Sequence, residues 1–224
     1  MSGARFTGQL IARRPEGPRG QVLRVAVDAD VRAGHTLAGQ YCAVELDAEA
    51  GIFALTSQPG DPHFEFYIQP AGGSSDRLVQ APVGSSLRLS RPEGPGYGIE
   101  RALEAGGPVF GLSAGSGLSG LLSATRLVHA RGRTLTLFAG FRTPADVLFA
   151  PELAAWQTAG STVEIVLTQP ASGPGQRVQQ ALAARAPDLS DAWVLACGPA
   201  AMQAEARAVC LAHGLPPDRF LTNY

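Results

Sequence analysis

The sequence predicts a two-domain chain, with an N-terminal antiparallel β-barrel followed by a C-terminal α/β domain built on a doubly wound parallel sheet. Three observations lead to this fold class. Short alternating or β-branched runs recur before residue 100, and apolar strand patterns alternate with helix patterns after it. A Gly- and Pro-rich segment at 91–98 separates the two halves. The 224 residues suffice for two small domains, which we place at 1–98 and 99–224.

Six short strands are predicted in the first half, because apolar or alternating runs are bounded there by clusters of Gly, Pro, Asp and Ser. A short helix is predicted at 74–79, after Gly72-Gly73. Strands of this length and spacing are typical of a small antiparallel barrel or sandwich. The predicted strands lie at 6–13, 21–28, 40–46, 52–56, 64–69 and 86–89.

The second half alternates strands and helices, a repetition that predicts a parallel sheet with right-handed crossovers. Its strands read as continuous apolar runs, as in a sheet that is covered on both faces. They are predicted at 109–114, 134–139, 162–168 and 193–197, with a last strand at 220–224. The helix patterns lie at 117–130, 145–158, 175–186 and 200–213.

Composition and charge exclude several classes of protein. A formal net charge of −1 provides no basic surface for a nucleic acid backbone. Cys42, Cys197 and Cys210 are far apart and form no C-x-x-C pair, so we expect no metal or iron–sulfur site. The N-terminus lacks the pattern of a secretory signal, and the charge-free stretch 106–125 has Gly and Ser through its middle, unlike a membrane span. We therefore expect a cytoplasmic protein with no membrane span and no nucleic acid partner.

The turn after strand 109–114 carries the spacing G-x-G-x-x-G at Gly115, Gly117 and Gly120. Between a strand and a helix, this spacing gives a tight turn, a close backbone approach and free amides at the helix N-terminus. A pyrophosphate can bind there without a basic side chain. Glycines are also common in the βα turns of other α/β proteins, so the motif alone does not distinguish a dinucleotide site from an ordinary turn.

Together with the order of the two halves, the motifs of the chain resemble those of the ferredoxin–NADP reductase superfamily over nearly the whole sequence. In the first half, the matching segments are Gly39-Gln-Tyr41, Phe53-Ala-Leu-Thr-Ser57, Phe64-Glu-Phe-Tyr-Ile68 and Gly72-Gly-Ser-Ser75. In the second half, they are Ala114-Gly-Ser-Gly-Leu118, Gly140-Phe-Arg142, Cys197-Gly-Pro199 with Met202, and Leu221-Thr-Asn-Tyr224. Within the superfamily, the chain is most similar to a plant branch of reductase-like fruit proteins.

The resemblance implies an FAD-dependent oxidoreductase that transfers hydride or electrons between NAD(P)H and the flavin, and then to an unidentified acceptor such as an electron-carrier protein. It implies two catalytic candidates, Cys197 beside the nicotinamide and Tyr224 on the face of the flavin. It assigns flavin binding to Phe53, Ala54, Leu55, Thr56, Tyr67, Ile68, Gln69, Gly73, Ser74 and Ser75. It assigns nucleotide binding to Gly115, Ser116, Gly117, Arg142, Gly198, Pro199 and Met202.

Several positions depart from the family pattern. The arginine, tyrosine and serine of the flavin motif are replaced by Gly51, Phe53 and Ala54. Loss of the arginine removes a charge-assisted contact worth about 1.5–3 kcal/mol, so we expect FAD to be held weakly. Arg77, one turn further on, is a candidate replacement. The catalytic glutamate of the family corresponds to Thr222, which cannot act as a general acid at neutral pH.

Alternatives remain open on the sequence alone. One is a non-catalytic relative with weakened or lost flavin binding, acting as a nucleotide sensor or partner subunit. Another is an ordinary NAD dehydrogenase, which explains the glycines but not the barrel half. Arg142 stands where an NAD fingerprint has an acidic residue, so NADP is favoured and NAD stays open. Cys197 is otherwise a small core residue, Ser74 and Ser75 are otherwise helix N-caps, and Tyr224 is otherwise a solvent-facing terminal aromatic.

Overall fold

The strands of the first half close into an antiparallel barrel. The computed structural model describes residues 5–47 and 49–223. The strands are β1 (Phe6–Glu16), β2 (Gly20–Val27), β3 (Tyr41–Leu46), β4 (Glu49–Ala54), β5 (Phe64–Ile68) and β6 (Ser86–Leu89), and two short helices, α1 (Ala29–Arg32) and α2 (Ser74–Gln80), lie in the connections. Their order in the sheet is β4-β3-β6-β1-β2-β5. The two edges meet where Leu55 pairs with Phe66 and the Thr56 N–H donates to the Glu65 carbonyl at 2.8 Å.

The barrel interior is apolar because alternate residues of each strand point inward. In β6, Leu87 and Leu89 are buried while Ser86 and Arg88 are exposed. β5 is buried along its whole length, which an ordinary barrel strand is not. Phe64, Phe66 and Ile68 fill the barrel, whereas Tyr67 packs in a core shared with the second half of the chain. β5 is therefore the strand on which the second half docks.

The second half is a parallel sheet of five strands with helices on both faces. Its elements are α3 (Ile99–Ala105), β7 (Val109–Ala114), α4 (Gly117–Ala130), β8 (Thr136–Phe141), α5 (Ala150–Thr158), β9 (Thr162–Leu167), α6 (Val178–Arg185), β10 (Trp193–Cys197), α7 (Ala200–Ala212) and β11 (Phe220–Leu221). The strand order is β11-β10-β7-β8-β9. The chain first builds outward from β7 to β9 and then returns to the other side of β7, so the order reverses between β7 and β10. In sheets of this type, ligands bind in the crevice at the carboxyl ends of those two strands.

Helix α4 explains why the stretch 106–125 has no charged residue. β7 lies between β10 and β8 in the sheet, and the residues of α4 from Leu118 to Thr125 are all buried. Leu118, Leu121 and Leu122 share a core with residues of the barrel as well as of the sheet. A helix covered on both sides is apolar around most of its circumference.

The tip of the β1–β2 hairpin reaches the second half of the chain. The Phe149 N–H donates to the Glu16 carboxylate at 2.6 Å. The ring of Phe149 packs edge-on against Tyr67, with 5.6 Å between the ring centroids. Phe149 has a φ of 53°, which is rare for a large side chain, and it occupies the position before α5. These contacts bind the barrel to the loop between β8 and α5.

A partly buried network of ions, with Glu65 as its most buried member, joins the two halves through Arg126 of α4. The Arg126 guanidinium donates to both oxygens of Glu152, at 2.7 and 3.0 Å, and to Glu65 on β5 at 3.1 Å. It also donates to the Thr56 carbonyl at 2.6 Å. Arg24 of β2 binds the second oxygen of Glu65 at 3.1 Å. The C-terminal half of α4 is thereby bound to β5 and to Thr56, just after the end of β4.

The predicted fold class is confirmed, since an antiparallel barrel is followed by a doubly wound parallel sheet. The predicted strands and helices agree with those observed, with ends shifted by a few residues; β1, for example, extends through Pro15 to Glu16. The short helices α1 and α3 were not predicted. The placing of the domain boundary between residues 98 and 99 stays a prediction.

Among residues 5–47 and 49–223, no helix combines the length and apolarity needed to cross a membrane. Within the same residues, no three His, Cys, Asp or Glu side chains lie close enough together to hold a metal ion.

We expect His35 to make stability depend on pH. Its imidazole is 4% exposed and lies edge-on to Phe64, and burial lowers its pKa to about 4, although the Asp61 carboxylate opposes this shift. The unfolded state, with an ordinary pKa near 6.5, therefore binds more protons between pH 6.5 and 4, and stability falls as the pH falls through this window. His35 should lower the free energy of unfolding by about 3 kcal/mol near pH 4, because each unit of pKa difference corresponds to about 1.36 kcal/mol.

Urea denaturation at pH 7 and pH 4.5 measures this effect. His35→Gln should flatten the pH dependence, and the same substitution at the partly exposed His213 should leave it unchanged. An equal pH slope for the wild type and His35→Gln would refute the assignment.

Candidate functional site

A continuous cleft runs between the barrel and the parallel sheet, as three adjoining cavities. The barrel-side cavity has a volume of about 490 Å³, the central cavity about 620 Å³ and the sheet-side cavity about 380 Å³. The first two share Ala54 and Gln69 in their walls, and the last two share Gly115 and Pro199. Ala54 and Cys197, from opposite halves of the chain, both line the central cavity.

The glycines of the turn after β7 are required by the fold itself. Gly115 has a φ of +55°, a left-handed conformation that favours glycine. Gly117 is in contact with the end of β10, because a Cβ placed on it would lie 2.8 Å from the Cys197 carbonyl carbon. A Cβ on Gly120 would lie 2.6 Å from the Cys197 Sγ. The spacing therefore allows α4 to pack directly against Cys197-Gly198, and it leaves the turn open toward the central cavity.

Cys197 lies at the centre of the cleft as a neutral thiol. Burial raises its pKa, although a hydrogen bond with the Tyr97 hydroxyl opposes the rise. The thiol is therefore protonated at neutral pH and is a poor nucleophile. It gives the wall of the cavity a small, uncharged surface, which suits contact with a planar ring more than covalent chemistry.

Tyr97 is a residue of the site that our sequence analysis did not identify. It belongs to the segment 91–98, and its ring packs on Gly39, where an added Cβ would lie 2.7 Å from Tyr97 Cε2. The Asn223 side-chain amide donates to the Gly39 carbonyl at 3.0 Å and so joins the end of the chain to the same cluster. A lone aromatic residue within an otherwise Gly- and Pro-rich segment was the available signal in the sequence.

Some of the predicted flavin-binding residues line the cleft, and others are buried in the barrel. Phe53, Ala54, Tyr67 and Gln69 line the cleft. The remaining predicted residues of this part, Leu55, Thr56 and Ile68, are almost fully buried. The amides of Leu55 and Thr56 donate to the Gln40 and Glu65 carbonyls, at 2.9 and 2.8 Å, and are thus engaged within the barrel.

Gly73, Ser74 and Ser75 do not line any of the three cavities. The Ser75 hydroxyl donates to the Gly72 carbonyl at 2.9 Å and accepts the Ala71 N–H at 2.9 Å, so it closes the turn before α2. The N-cap of α2 is Gly73, with no side-chain cap hydrogen bond, so neither Ser74 nor Ser75 is the N-cap.

Two arginines line the sheet-side cavity. Arg142, at the end of β8, donates to the Gln169 side chain at 3.0 Å. Arg177, which precedes α6 and was not predicted as a site residue, lines the same cavity, as does Met202. Gln179 is 4% exposed, and its Oε1 has no hydrogen-bond partner among the described residues. No carboxylate is present among the described residues that line this cavity.

The remaining predicted residues lie where the two strands β7 and β10 end. Ser116, Gly117, Gly198 and Pro199 line the central cavity with Cys197. Tyr224 lies outside the described residues. The structure thus brings the predicted nucleotide-binding residues into one cleft.

Residues 112–208 match the family model of the oxidoreductase NAD-binding domain. A curated relative is the ferredoxin–NAD(+) reductase component of the alkene monooxygenase system of Xanthobacter autotrophicus. It is 32% identical over 156 residues, which are 66% of this chain and 47% of the relative. The chain therefore spans about half the length of that relative.

Solved structures with low sequence identity have the same fold. The cytochrome P450 reductase of Amycolatopsis aligns with a TM-score of 0.86 at 18% identity, covering 98% of this chain and 69% of the other. A ferredoxin NADP+ reductase from Neisseria gonorrhoeae, solved with bound FAD and NADP, aligns with a TM-score of 0.82 at 16% identity, covering 99% and 98%. Both alignments include the barrel and the parallel sheet together.

Proposed function

We propose that this chain belongs to the ferredoxin–NADP reductase-like superfamily and functions as an NAD(P)H-dependent flavin oxidoreductase. The proposal is supported by the match of residues 112–208 to the oxidoreductase NAD-binding domain, by the curated relative and by the shared fold. Residues 1–98 would form the flavin-binding barrel and residues 99–224 the nucleotide-binding domain. The observation that carries the proposal is the central cavity, which is lined both by Ala54 of the barrel and by Cys197 of the sheet.

The proposed substrate is NAD(P)H, which would bind along the carboxyl ends of β7 and β10. The amides of Ser116 and Gly117, at the start of α4, would bind the diphosphate, whereas the Gly115 amide donates to the Gly140 carbonyl at 2.7 Å. Cys197 and Pro199 would contact the nicotinamide, and the adenosine end would lie toward Arg142. This arrangement would hold the nicotinamide ring at the barrel side of the cleft.

The barrel-side cavity supplies the second ring site. Its wall offers the apolar side chains of Phe53 and Tyr67 with the polar Gln69 and Ser116, a combination that suits a planar ring with polar edges. A flavin bound there supplies an acceptor for hydride, and it can release electrons singly or in pairs. The chain itself contributes orientation and the exclusion of water, and no acid or base is needed on the central cavity wall.

Anaerobic mixing of the protein with FAD, followed by NADPH or NADH, tests the proposal. The flavin absorbance should bleach at a rate proportional to protein concentration. No bleaching above the protein-free rate with either nucleotide would refute the function.

We expect the sheet-side cavity to prefer NADPH, because Arg142 and Arg177 line it and no described carboxylate does. Arg142→Ala and Arg177→Ala should each weaken NADPH binding about tenfold, equivalent to about 1.4 kcal/mol, and leave NADH affinity nearly unchanged. Calorimetric titration measures both affinities. Arg131→Ala, at an exposed position after α4, is the matched control. Equal weakening of NADH and NADPH would contradict a 2′-phosphate contact and assign the arginines to the diphosphate.

A second candidate function is a non-catalytic relative that binds nucleotide and has lost its flavin. It is favoured by the barrel side of the cleft, where Phe53 and Glu49 lie over Gly51 and Gly73, positions that the resemblance places near flavin phosphate. A protein of this kind would gain no thermal stability from FAD, because a ligand of the native state raises stability by mass action. Measured turnover would exclude it.

The proposal also includes three further predictions made from the sequence. They are an electron-carrier protein as the partner, membership of the branch that includes plant fruit proteins, and a cytoplasmic location. The curated relative is named as a ferredoxin–NAD(+) reductase component, which supports a protein acceptor.

A further inference from the structure

We propose that the barrel-side cavity recognises the isoalloxazine ring of a flavin and not its phosphates, so that riboflavin, FMN and FAD bind with equal affinity and exchange freely. This inference rests on the proposed function. It goes beyond that function because it names the ligand class, a dissociable flavin ring, and it predicts which parts of FAD contribute to binding.

The first argument concerns the space beside Gly51. The resemblance places a phosphate-binding arginine there, but the ring of Phe53 lies over the glycine. A Cβ placed on Gly51 would be 2.6 Å from Phe53 Cε2 and 2.7 Å from the Ser74 Oγ. Phe53 also packs against the barrel core. A long side chain at position 51 is therefore incompatible with this position of the Phe53 ring. The positive charge of the family's arginine is not replaced by another residue of β4.

The second argument concerns charge at the start of α2. The Glu49 side chain lies over Gly73, where a Cβ would be 2.9 Å from the carboxylate Oε1. Arg77, the candidate replacement for the lost arginine, is bound to the other oxygen of Glu49 at 2.6 Å. The Glu49 carboxylate therefore pairs with Arg77, and its negative charge also disfavours a flavin phosphate at the start of α2.

The third argument is that three hydrogen-bond donors near the start of α2 are engaged within the chain. The Ala71 and Gly72 amides donate to the Ser75 hydroxyl and the Asp76 carboxylate, at 2.9 and 3.0 Å. The Ser75 hydroxyl donates back to Gly72. These three donors are thus not available to the diphosphate of FAD.

Arg19 is the cation that lines the barrel-side cavity. It lies exposed at the tip of the β1–β2 hairpin, near Asp146, whose carboxyl pKa is lowered chiefly by hydrogen bonding with Thr143 and least by the charge of Arg19. An exposed arginine near a carboxylate contributes little to binding a phosphate. The lining of the barrel-side cavity suits the isoalloxazine ring better than the phosphates. Ile52, Phe53 and Tyr67 provide apolar surface for the ring, and Gln69 and Ser119 provide polar groups.

Titration of the full chain with riboflavin, FMN and FAD, followed by quenching of flavin fluorescence, tests the inference. The three dissociation constants should agree within about threefold. FAD binding more than thirtyfold tighter than riboflavin would overturn the inference and leave the proposed function intact. No binding of any of the three flavins would overturn both.

Substitution of Glu49 provides a second measurement. Glu49→Gln removes the opposing charge and releases Arg77, so FMN and FAD should bind three- to tenfold more tightly while riboflavin is unaffected. Glu45→Gln, which alters a carboxylate of β3 paired with Arg88 at 3.5 Å, is the matched control. An unchanged ratio of FMN to riboflavin affinity in Glu49→Gln would contradict the role given to this carboxylate.

Discussion

Arg126→Ala should lower the free energy of unfolding by about 3 kcal/mol or more, the largest stability effect that we expect from a single substitution. Removing one partner of a buried ion pair leaves an uncompensated charge, which typically costs about 3–5 kcal/mol. The Arg126 side chain is 20% exposed, and that of Glu65 is 7% exposed. Without the guanidinium, the Glu65 and Glu152 carboxylates lose their shared partner, and the Thr56 carbonyl loses a donor.

The ionisation of Glu65 supports this assignment. Burial alone would raise its pKa, but the charge of Arg126, together with hydrogen bonds from Arg24, Arg126 and Thr56, outweighs burial and lowers it. The pKa of Arg126 is raised by Glu152 and Glu65 against the effect of burial. Both groups are therefore held charged in the folded state.

Urea denaturation at neutral pH measures the loss. Arg185→Ala is the control, because Arg185 pairs with Glu164 at 2.7 Å but is more than half exposed, and exposed pairs contribute about 0.2–1 kcal/mol. A loss below 1 kcal/mol for Arg126→Ala would show that the network does not join the two halves.

Gly117→Ala should weaken nucleotide binding more than tenfold and cost about 1–3 kcal/mol of stability through overpacking. The added Cβ meets the backbone of Cys197 and Gly198, which cannot move as a side chain can. α4 and the end of β10 must therefore separate, and this displaces the amides that we propose bind the diphosphate. The Gly120→Ala Cβ meets the Cys197 Sγ instead, so its effect should be smaller.

Calorimetric titration with NADPH and thermal denaturation measure the two effects of Gly117→Ala separately. Gly132→Ala is the matched control, because its φ of +67° makes alanine unfavourable while no atom lies within 4 Å of the new Cβ. It should lose stability and keep its nucleotide affinity. Wild-type affinity in Gly117→Ala would remove the turn from the nucleotide site.

The fold could be predicted from the sequence because each half has a distinct periodicity. The apolar runs at 109–114 and 193–197 have the continuous form of central parallel strands, and the structure has β7 and β10 at those bounds. The motif Cys197-Gly-Pro199 could also be assigned to the end of a strand, since a buried run ends there. Helix α1 was not predicted, because its four residues are too few to show a helical period.

The site was less predictable, because contacts between distant segments leave little trace in a local pattern. Arg126 looked like one polar residue of an apolar helix, and its partner Glu65 lies 61 positions away. Glu49, Arg177 and Tyr97 likewise owe their positions to the approach of separate loops. The departure at Gly51 was visible in the sequence, whereas the packing of Phe53 over this glycine required coordinates.

The central claim is that a nicotinamide ring held at Cys197 and a flavin ring held at Ala54 face each other in one cleft. Absorption spectroscopy of the protein with oxidised flavin and NADPH, mixed anaerobically and followed in time, tests it most directly. We predict a transient charge-transfer band at wavelengths longer than the flavin absorbance, present only when both ligands are bound and absent in Gly117→Ala. Independent binding of both ligands with no such band and no flavin reduction would contradict the account.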